Sequence, residues 1–367
     1  MKHGLERIAI PEEHEARART WSVVARAFDE RQPVRPRSGW PRVAAIAVAV
    51  AAIAAAALSS PGRAVLDEVR EVVGVESAQP ALFSLPAPGR LLVSSDEGLW
   101  VVDEDGSKRL LGPYREGSWS PFGRFVIAAR ANELAALEPD GGVRWTLARR
   151  GVRFPRWAGS ETDTRIAYQG RNVPRVVAGD GTDDRPVCAV SARPIPPAWK
   201  PGAAFVLALV APSGTPYAVD LSGCVVRWTA TVVARPRRVE WSSDGARLLV
   251  VGASAIRILD GRTGRLVGST LGADAAWRPG TRTLARIFHR GGTSRVIVGR
   301  KVVFSATGRL VQPSWTPDGR WLVVGWPTAD QWVFVRADGK RIRAVSNVSE
   351  QFRSASFPRI EGWIGNN

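Results

Sequence analysis

The chain has 367 residues, of which 45% are hydrophobic, so it can bury a sizeable core and has too much apolar content for a disordered protein. Lys and Arg number 51 against 34 Asp and Glu, a formal net charge of +17, and only five of the basic residues are lysines. A surface for nucleic acid, anionic lipid or an acidic polymer would explain this charge, but no run of five basic residues occurs; we favour arginines spread over every face and expect no nucleic-acid partner.

Residues 1–42 are predicted to form a cytoplasmic segment with one amphipathic helix. The tripeptide PEE at 11–13 suits a helix start, because Pro fits the first turn and acidic side chains favour the positive end of the dipole. Trp21, Val24 and Phe28 then recur at helical spacing and form one apolar stripe. So short a helix cannot bury its stripe alone, so it would lie on the membrane or on a partner. Solvated juxtamembrane sequence is the alternative.

Residues 43–60 are predicted to form a transmembrane helix. The segment has no charged residue, and its length is near the lower limit for crossing the hydrocarbon core. Arginines precede it and acidic residues are frequent after it, so the positive-inside rule places the N-terminus in the cytoplasm and the rest of the chain outside. A cleaved signal peptide is the alternative, but a leader of 42 residues before the cleavage region is long for one. We therefore expect a single-pass protein of the cell membrane.

Residues 61–87 are predicted to be a stalk and linker. After the break at Pro61, the stretch 63–75 places its valines and leucine on one helical face, and an extended segment begins at 79–80. The pattern changes to that of strands at residue 88. The linker is therefore expected to separate the membrane helix from one large domain.

From residue 88 the sequence repeats a tryptophan, a Pro/Asp/Gly turn and an apolar strand. The cleanest copy is PSWTPDGRWLVVGW at 313–326, and close copies occupy 117–128 and 239–251. A period near 40 residues with strand-type content is typical of propeller blades. The apolar strands do not alternate with polar residues, as expected where neighbouring blades cover both faces of a sheet. Because they keep step with the turns, six marker tryptophans are predicted to pack at the seams between blades: Trp119, Trp157, Trp199, Trp241, Trp277 and Trp315.

We predict that residues 88–367 form an all-β propeller of seven four-stranded blades, with six or eight as alternatives. The stretch 88–364 divides into seven units of about 40 residues. The first unit lacks an opening strand with tryptophan, whereas the stretch 351–364 supplies a strand that no unit follows. Joining the two closes the ring and removes exposed sheet edges. Phe357 is expected to take the place of tryptophan in the closing strand.

The repeat resembles the WD-repeat-like repeats of the periplasmic Tol–Pal propeller protein and of the prolyl-oligopeptidase propeller. The resemblance is carried by WSPFGR at 119–124, WSSDG at 241–245 and WTPDGR at 315–320, and it covers most of 88–364. It implies a propeller fold. It implies no particular function, because propellers include enzymes, scaffolds and receptors.

A second resemblance concerns EPDGGVRW at 138–145 and DLSGCVVRW at 220–228, which look like the outer-strand motif D-x-x-x-G-x-x-x-W of quinoprotein-type propellers. In those enzymes the cofactor lies beside an adjacent cysteine pair with metal ligands. Here Cys188 and Cys224 are 36 positions apart. The resemblance therefore favours a non-catalytic relative over a quinone-dependent dehydrogenase.

Other candidate chemical groups are few. Cys188 and Cys224 both follow the predicted membrane helix, where a disulfide can form; two free, buried thiols are the alternative. Their spacing, with no histidine nearby, does not suit a metal site. The only histidine beyond the membrane helix, His289, is expected in an exposed loop, and no G-x-S-x-G elbow accompanies it. Acidic clusters such as 103–105 and 180–184 lack calcium-ligand spacing and predict hairpin turns.

The sequence therefore predicts a non-enzymatic, membrane-anchored, extracytoplasmic propeller that binds a protein or peptide through its loops. No catalytic, cofactor-binding or metal-binding residue is predicted. One alternative is a transmembrane signal transducer, in which the helix near 21–28 holds a cytoplasmic partner, as the short cytoplasmic segments of membrane anti-sigma factors do. Another is a sugar- or quinone-acting propeller enzyme. The shortage of histidine and of clustered carboxylates counts against the enzyme.

Overall fold

The computed structural model describes residues 75–79, 84–171, 173–202 and 205–365. These residues form seven sheets of four antiparallel strands each, one of which gains a fifth strand. The innermost strand of every sheet contacts the innermost strands of its two neighbours around a complete circle. The fold is therefore a seven-bladed propeller, as the repeat length predicted.

Blades are numbered here from the one that the C-terminal strand closes, and strands are numbered along the chain. In blades 2 to 6 the inner strand comes first and the outer strand last, so the chain moves outwards through a blade and then returns to the centre. The first four strands of blade 7 follow the same order, whereas the inner strand of blade 1 is the C-terminal strand of the chain. The strands of blades 1 to 4 are, in that order, Arg359–Ile364 (β29), Arg90–Ser94 (β2), Leu99–Val102 (β3) and Lys108–Gly112 (β4); Glu116–Trp119 (β5), Val126–Arg130 (β6), Glu133–Leu137 (β7) and Val143–Ala148 (β8); Val152–Gly159 (β9), Thr164–Gly170 (β10), Val173–Ala178 (β11) and Arg185–Pro186 (β12); Ala198–Trp199 (β13), Val206–Val210 (β14), Pro216–Asp220 (β15) and Val225–Thr229 (β16).

Blades 5 to 7 follow the same order, and blade 7 carries the additional strand at its outer edge. Two short helices follow the strands Trp321–Trp326 and Ile342–Ser346: the 3-10 helix Pro327–Ala329 and the α-helix Val348–Gln351 (α1). The strands are Arg238–Trp241 (β17), Arg247–Val251 (β18), Ala255–Asp260 (β19) and Leu266–Leu271 (β20); Asp274–Trp277 (β21), Leu284–Arg290 (β22), Thr293–Val298 (β23) and Lys301–Thr307 (β24); Val311–Trp315 (β25), Trp321–Trp326 (β26), Gln331–Arg336 (β27), Ile342–Ser346 (β28) and Val75–Gln79 (β1).

The C-terminal strand closes the ring as predicted, but its tryptophan is a different residue. Trp363 pairs with Leu91 in blade 1, as Trp241 pairs with Leu248 in blade 5. Phe357 lies before β29, outside any strand, so its assignment as the substitute for tryptophan was wrong. The reason is the insertion of α1, which lengthens the last unit and displaces the marker from the spacing of the earlier repeats.

The hydrophobic core lies between the blades. Seven clusters of buried apolar side chains occur, and each combines residues from two neighbouring blades, so every seam in the ring has its own core. The second strands supply residues to the seams on both sides: Leu248 packs toward blade 4 and Leu249 toward blade 6. This two-sided burial explains why these strands are apolar without alternation.

The N-terminal end of the described chain also contacts the propeller. β1 falls within the range 61–87 predicted as stalk and linker, and it runs parallel to β28 at the edge of blade 7. Leu85 and Ala87 are buried in the seam between blades 7 and 1. The predicted segments 1–42 and 43–60 lie outside the described residues. Among the residues that are described, no helix is long and apolar enough to cross a bilayer.

In blades 5 and 7 the turn after the inner strand is held by a hydroxyl and a carboxylate. In blade 5 the Ser242 hydroxyl donates to Asp244 at 2.6 Å, and the same carboxylate accepts the Ala246 N–H at 3.0 Å. Gly245 closes the turn with a φ of +63°, a conformation that suits glycine. These hydrogen bonds, Ser242 first, lower the pKa of Asp244 to about 2.

We expect the Asp244 turn to make stability depend on pH in the acid range. Because the folded-state pKa of Asp244 lies below its ordinary value of 3.8, its contribution is complete above that value and is lost as the pH falls toward 2. Asp244→Asn should therefore lower stability most near pH 6, and the difference from wild type should shrink on acidification. Urea unfolding at pH 2 to 6 measures this difference, and a difference independent of pH would contradict the assignment.

Candidate binding site between blades 2 and 3

The marker tryptophans lie at or near the ends of the inner strands, at the seams between blades. Trp157 and Trp199 are half-buried, and the other four are buried. Three of the indole N–H groups donate hydrogen bonds to backbone carbonyls of the preceding blade: Trp199 to Arg156 at 2.8 Å, Trp241 to Ala198 at 3.0 Å and Trp315 to Ala276 at 3.4 Å. In each case the acceptor residue comes directly before the marker tryptophan of that blade. In these positions the indole rings connect adjacent blades.

The central channel encloses about 430 Å³ and is lined by charged side chains. The charged residues along it are Glu116, Arg156, Arg238, Glu240, Arg359 and Glu361. Glu361 lies 3.3 Å from Arg359 and 3.9 Å from Arg156, and Arg238 pairs with Glu240. Burial raises the pKa of Glu361, and the neighbouring arginines offset only part of this effect. Most charges in the channel therefore already have a partner of opposite sign.

Channel side chains also satisfy backbone groups that the blades leave unpaired. Inner strands of neighbouring blades are in contact but belong to separate sheets, so their facing N–H groups need other acceptors. Glu240 accepts the backbone N–H of Trp277 at 3.0 Å, and Ser118 accepts that of Trp157 at 3.1 Å. Glu116 accepts the N–H of Phe154. The polar lining of the channel thus has a structural role in joining the blades.

A larger cavity, about 540 Å³, opens at the seam between blades 2 and 3, beside the turn after β5. Four aromatic side chains contribute to its walls: Phe122, Phe125, Trp145 and Trp157 line it together with the exposed Val143. Phe125 stacks on Trp157 with ring centroids 6.2 Å apart and an angle of 18° between the planes. The walls can therefore accept apolar or aromatic groups.

Trp145 is fixed in the wall by the neighbouring blade. Its indole N–H donates to the Gly179 carbonyl at 3.0 Å. A Cβ atom at Gly181 would lie 2.8 Å from the indole, so only glycine allows this contact. Trp228 meets Gly264 of blade 5 in the same way. The D-x-x-x-G-x-x-x-W resemblance thus corresponds in this chain to tryptophans that join blade 2 to blade 3 and blade 4 to blade 5.

Phe122 stands where the turns of blades 5 and 7 have aspartate. In blade 7 the corresponding Asp318 accepts hydrogen bonds from the Thr316 hydroxyl at 2.5 Å and the Arg320 N–H at 2.9 Å, as Asp244 does in blade 5. Phe122 can make neither bond. The blade 2 turn therefore lacks this carboxylate, and the half-buried Phe122 ring lies in the cavity wall. This departure from the repeat makes Phe122 a candidate binding residue.

Polar groups surround the apolar walls and differ in charge. Arg144 lies over the Phe125 ring at 5.4 Å and pairs with Glu138 at 3.4 Å. Arg124, Glu161 and Asp180 complete the charged part of the lining. A cavity with apolar walls and charged groups of both signs suits a peptide segment. The side chains of the peptide can enter the cavity while its backbone forms hydrogen bonds with the polar groups.

The remaining predicted residues lie elsewhere. Cys188 and Cys224 form a disulfide, with Cα atoms 5.4 Å apart, that connects the chain after β12 to the turn between β15 and β16. His289 lies within β22, half-buried, with Nδ1 2.7 Å from the Ser294 hydroxyl. The exposed-loop assignment of His289 was wrong, because β22 continues one residue past it. Within the described part of the chain, no three His, Cys, Asp or Glu side chains form a potential metal site.

Comparison with known proteins identifies the fold. No protein-family model and no curated protein matches the sequence. Among solved structures, the C-terminal WD40 domain of Sif2 superposes with a TM-score of 0.54 at 13% identity, covering 70% of this chain and 82% of that one. A chain of the mitotic checkpoint complex gives 0.54 at 15% identity (72% and 98%), and KlHsv2 with loop 6CD replaced by a Gly-Ser linker gives 0.51 at 12% (71% and 94%). These similarities show a WD40-like propeller.

Proposed function

We propose that the chain is a non-enzymatic scaffold, anchored in the cell membrane by residues 43–60, whose extracytoplasmic propeller binds a protein or peptide in the cavity between blades 2 and 3. The observation that carries the proposal is Phe122, which replaces the turn aspartate and lines the cavity. The cavity has the volume of a typical ligand site, about 300–1,000 Å³. It has room for a few side chains of an extended segment.

Two further observations support parts of the proposal. The Cys188–Cys224 disulfide suits an oxidising compartment, as expected outside the cell membrane. One of the structural neighbours is part of a multi-protein complex, the mitotic checkpoint complex, so the fold is used for protein binding elsewhere. The Tol–Pal resemblance of the repeats is consistent with an extracytoplasmic propeller.

Phe122→Asp is expected to abolish partner binding while leaving the fold intact or slightly more stable. Aspartate would restore hydrogen bonds to the Ser120 hydroxyl and the Arg124 N–H, about 0.5–1.5 kcal/mol each, and would place a charge in the apolar wall. Intact cells expressing the full chain are treated with a membrane-impermeant crosslinker, and adducts of wild type and variant are compared. Thermal unfolding of the purified proteins checks stability.

Val267→Asp is the matched control, because it also replaces an apolar side chain with a carboxylate, at an exposed position on β20 outside the cavity. An adduct that survives in Val267→Asp and disappears in Phe122→Asp supports the site. An adduct retained in both variants would refute the cavity as the binding site. An adduct formed only with a membrane-permeant crosslinker would refute the extracytoplasmic location while leaving the binding function standing.

A further inference from the structure

We propose that Arg278, Arg320 and Arg336 form a binding site for a phosphate-bearing anion at the seam between blades 6 and 7. The three side chains line a cavity of about 250 Å³ together with Ala337 and Asp338. Arg278 follows the marker tryptophan of blade 6, Arg320 ends the corresponding turn of blade 7, and Arg336 ends β27. Two blades therefore bring three guanidinium groups to one small space.

The positive charge of this site is only partly neutralised. Arg320 and Arg336 have their nearest carboxylates, Asp318 and Asp338, at 3.8 and 3.6 Å, both longer than a hydrogen bond. Arg278 has no carboxylate within 4 Å among the described residues. The arginine side chains thus retain N–H donors for a ligand, in contrast to the arginines of the central channel.

The surroundings of the cavity add positive charge. Lys301 donates to the backbone carbonyl of Asp338, and Lys340 lies two residues beyond it. The pKa of Asp338 is lowered, first by the N–H of Lys340 and then by the charges of Arg336, Lys340 and Lys301. The region therefore has a positive potential that would attract an anion.

Arg278 is held in place before any ligand binds. Its Nε donates to the Gly319 carbonyl at 2.7 Å, and its guanidinium lies 5.7 Å from the centre of the Trp315 ring. Gly319, with a φ of +64°, leaves space for the arginine stem, because a Cβ atom there would lie 3.3 Å from Arg278 Cγ. A preorganised arginine loses less freedom when it binds an anion.

Arg278 also departs from the repeat. Blades 5 and 7 have Ser242 and Thr316 at the equivalent position, and both hydroxyls hold their turn. Blade 6 has the cationic side chain of Arg278 in place of that hydroxyl. Guanidinium groups match phosphate oxygens in a bidentate manner, and the cavity is large enough for a phosphate with a small attached group but too small for a folded partner.

The test is calorimetric titration of the full chain in neutral detergent micelles, with inorganic pyrophosphate as one probe and micelles doped with phosphatidylglycerol as the other. We expect saturable binding, weakened about tenfold by Arg278→Gln and by Arg320→Gln, since each removes a charge-assisted interaction. Arg320 has a side chain that is 75% exposed, so its replacement tests the site even if Arg278→Gln disturbs the fold.

Arg282→Gln is the matched control. It removes the same charge from the blade 6 turn, but Arg282 pairs with Asp244 of blade 5 at 3.0 Å. A change in affinity of less than twofold in this variant supports a specific site. Equal weakening by Arg278→Gln and Arg282→Gln would instead show that positive charge attracts the anion without a specific site, and would overturn the proposal. Binding of neither probe would overturn the proposal. Binding of the lipid alone, with the same dependence on Arg278, would support it and identify a lipid headgroup as the source of the phosphate.

Discussion

Removal of residues 358–367 is expected to abolish the cooperative unfolding transition of the propeller. This truncation deletes β29, the inner strand of blade 1. β29 pairs with β2, so it joins the C-terminal end of the propeller to its beginning. It also removes Ile360, Trp363 and Ile364 from the seams of blade 1. Loss of three partly buried apolar side chains, at about 1.5–3 kcal/mol each when fully buried, is comparable to the net stability of a typical domain.

The truncated chain should also expose a sheet edge. The inner edge of β2 would present unpaired N–H and C=O groups, so we expect association of the purified protein in addition to loss of the transition. Urea unfolding and size-exclusion chromatography measure both effects. A synthetic peptide of residues 357–365 should restore the transition when added in trans, and a scrambled peptide should not. A truncated chain that unfolds as cooperatively as wild type would show that the ring does not depend on its closure.

The sequence allowed the fold to be predicted because the best copies of the repeat obey the same physical constraints. The turn needs a glycine such as Gly245, the seam needs a tryptophan such as Trp241, and the second strand must be apolar on both faces. These requirements recur with a period near 40 residues, so seven blades and a C-terminal closing strand could be predicted. Trp363 escaped prediction because the insertion of α1 changes the spacing, and spacing was the only guide.

The candidate sites could not be predicted from the repeat, because they consist of departures from it. Phe122 was visible as an exception to the turn aspartate, but its closeness to Trp145 and Trp157 depends on how blades 2 and 3 face each other. In the same way, Arg278 and Arg336 are distant in sequence and meet only at the seam of blades 6 and 7. In both places a turn lacks a polar group that stabilises the equivalent turn of blades 5 and 7. The side chain that stands there instead, Phe122 or Arg278, lines a cavity.

Asp184→Asn is expected to destabilise the propeller by about 2–3 kcal/mol. The Asp184 side chain is only 4% exposed, and it accepts hydrogen bonds from Arg149 at 2.6 Å, Arg175 at 2.7 Å and Tyr168 at 2.6 Å. Burial alone would raise its pKa, but these three donors together outweigh burial and lower it. Removing one partner of a buried ion pair costs about 3–5 kcal/mol, and the partial exposure of both arginines reduces this figure.

The position of Asp184 in the fold explains why the effect should be large. Arg149 follows the outer strand of blade 2, whereas Tyr168 and Arg175 belong to blade 3, so one carboxylate joins two blades beside the two-residue strand β12. Asparagine has nearly the same shape as aspartate but is neutral. It would place an amide NH₂ group or a neutral oxygen beside the guanidinium groups of Arg149 and Arg175, so both cations would lose this negative partner. Urea unfolding of the purified chain measures the loss.

Asp183→Asn is the control, since Asp183 is the adjacent residue, pairs with Arg185 and has a side chain that is 54% exposed. A surface pair of this kind contributes at most about 1 kcal/mol, so this variant should unfold almost as wild type does. Adding Arg175→Met to Asp184→Asn should recover part of the stability, because it removes one of the two unpaired cations. Equal destabilisation by Asp183→Asn and Asp184→Asn, or no recovery in the double variant, would mean that the buried carboxylate does not hold blades 2 and 3 together through its charge.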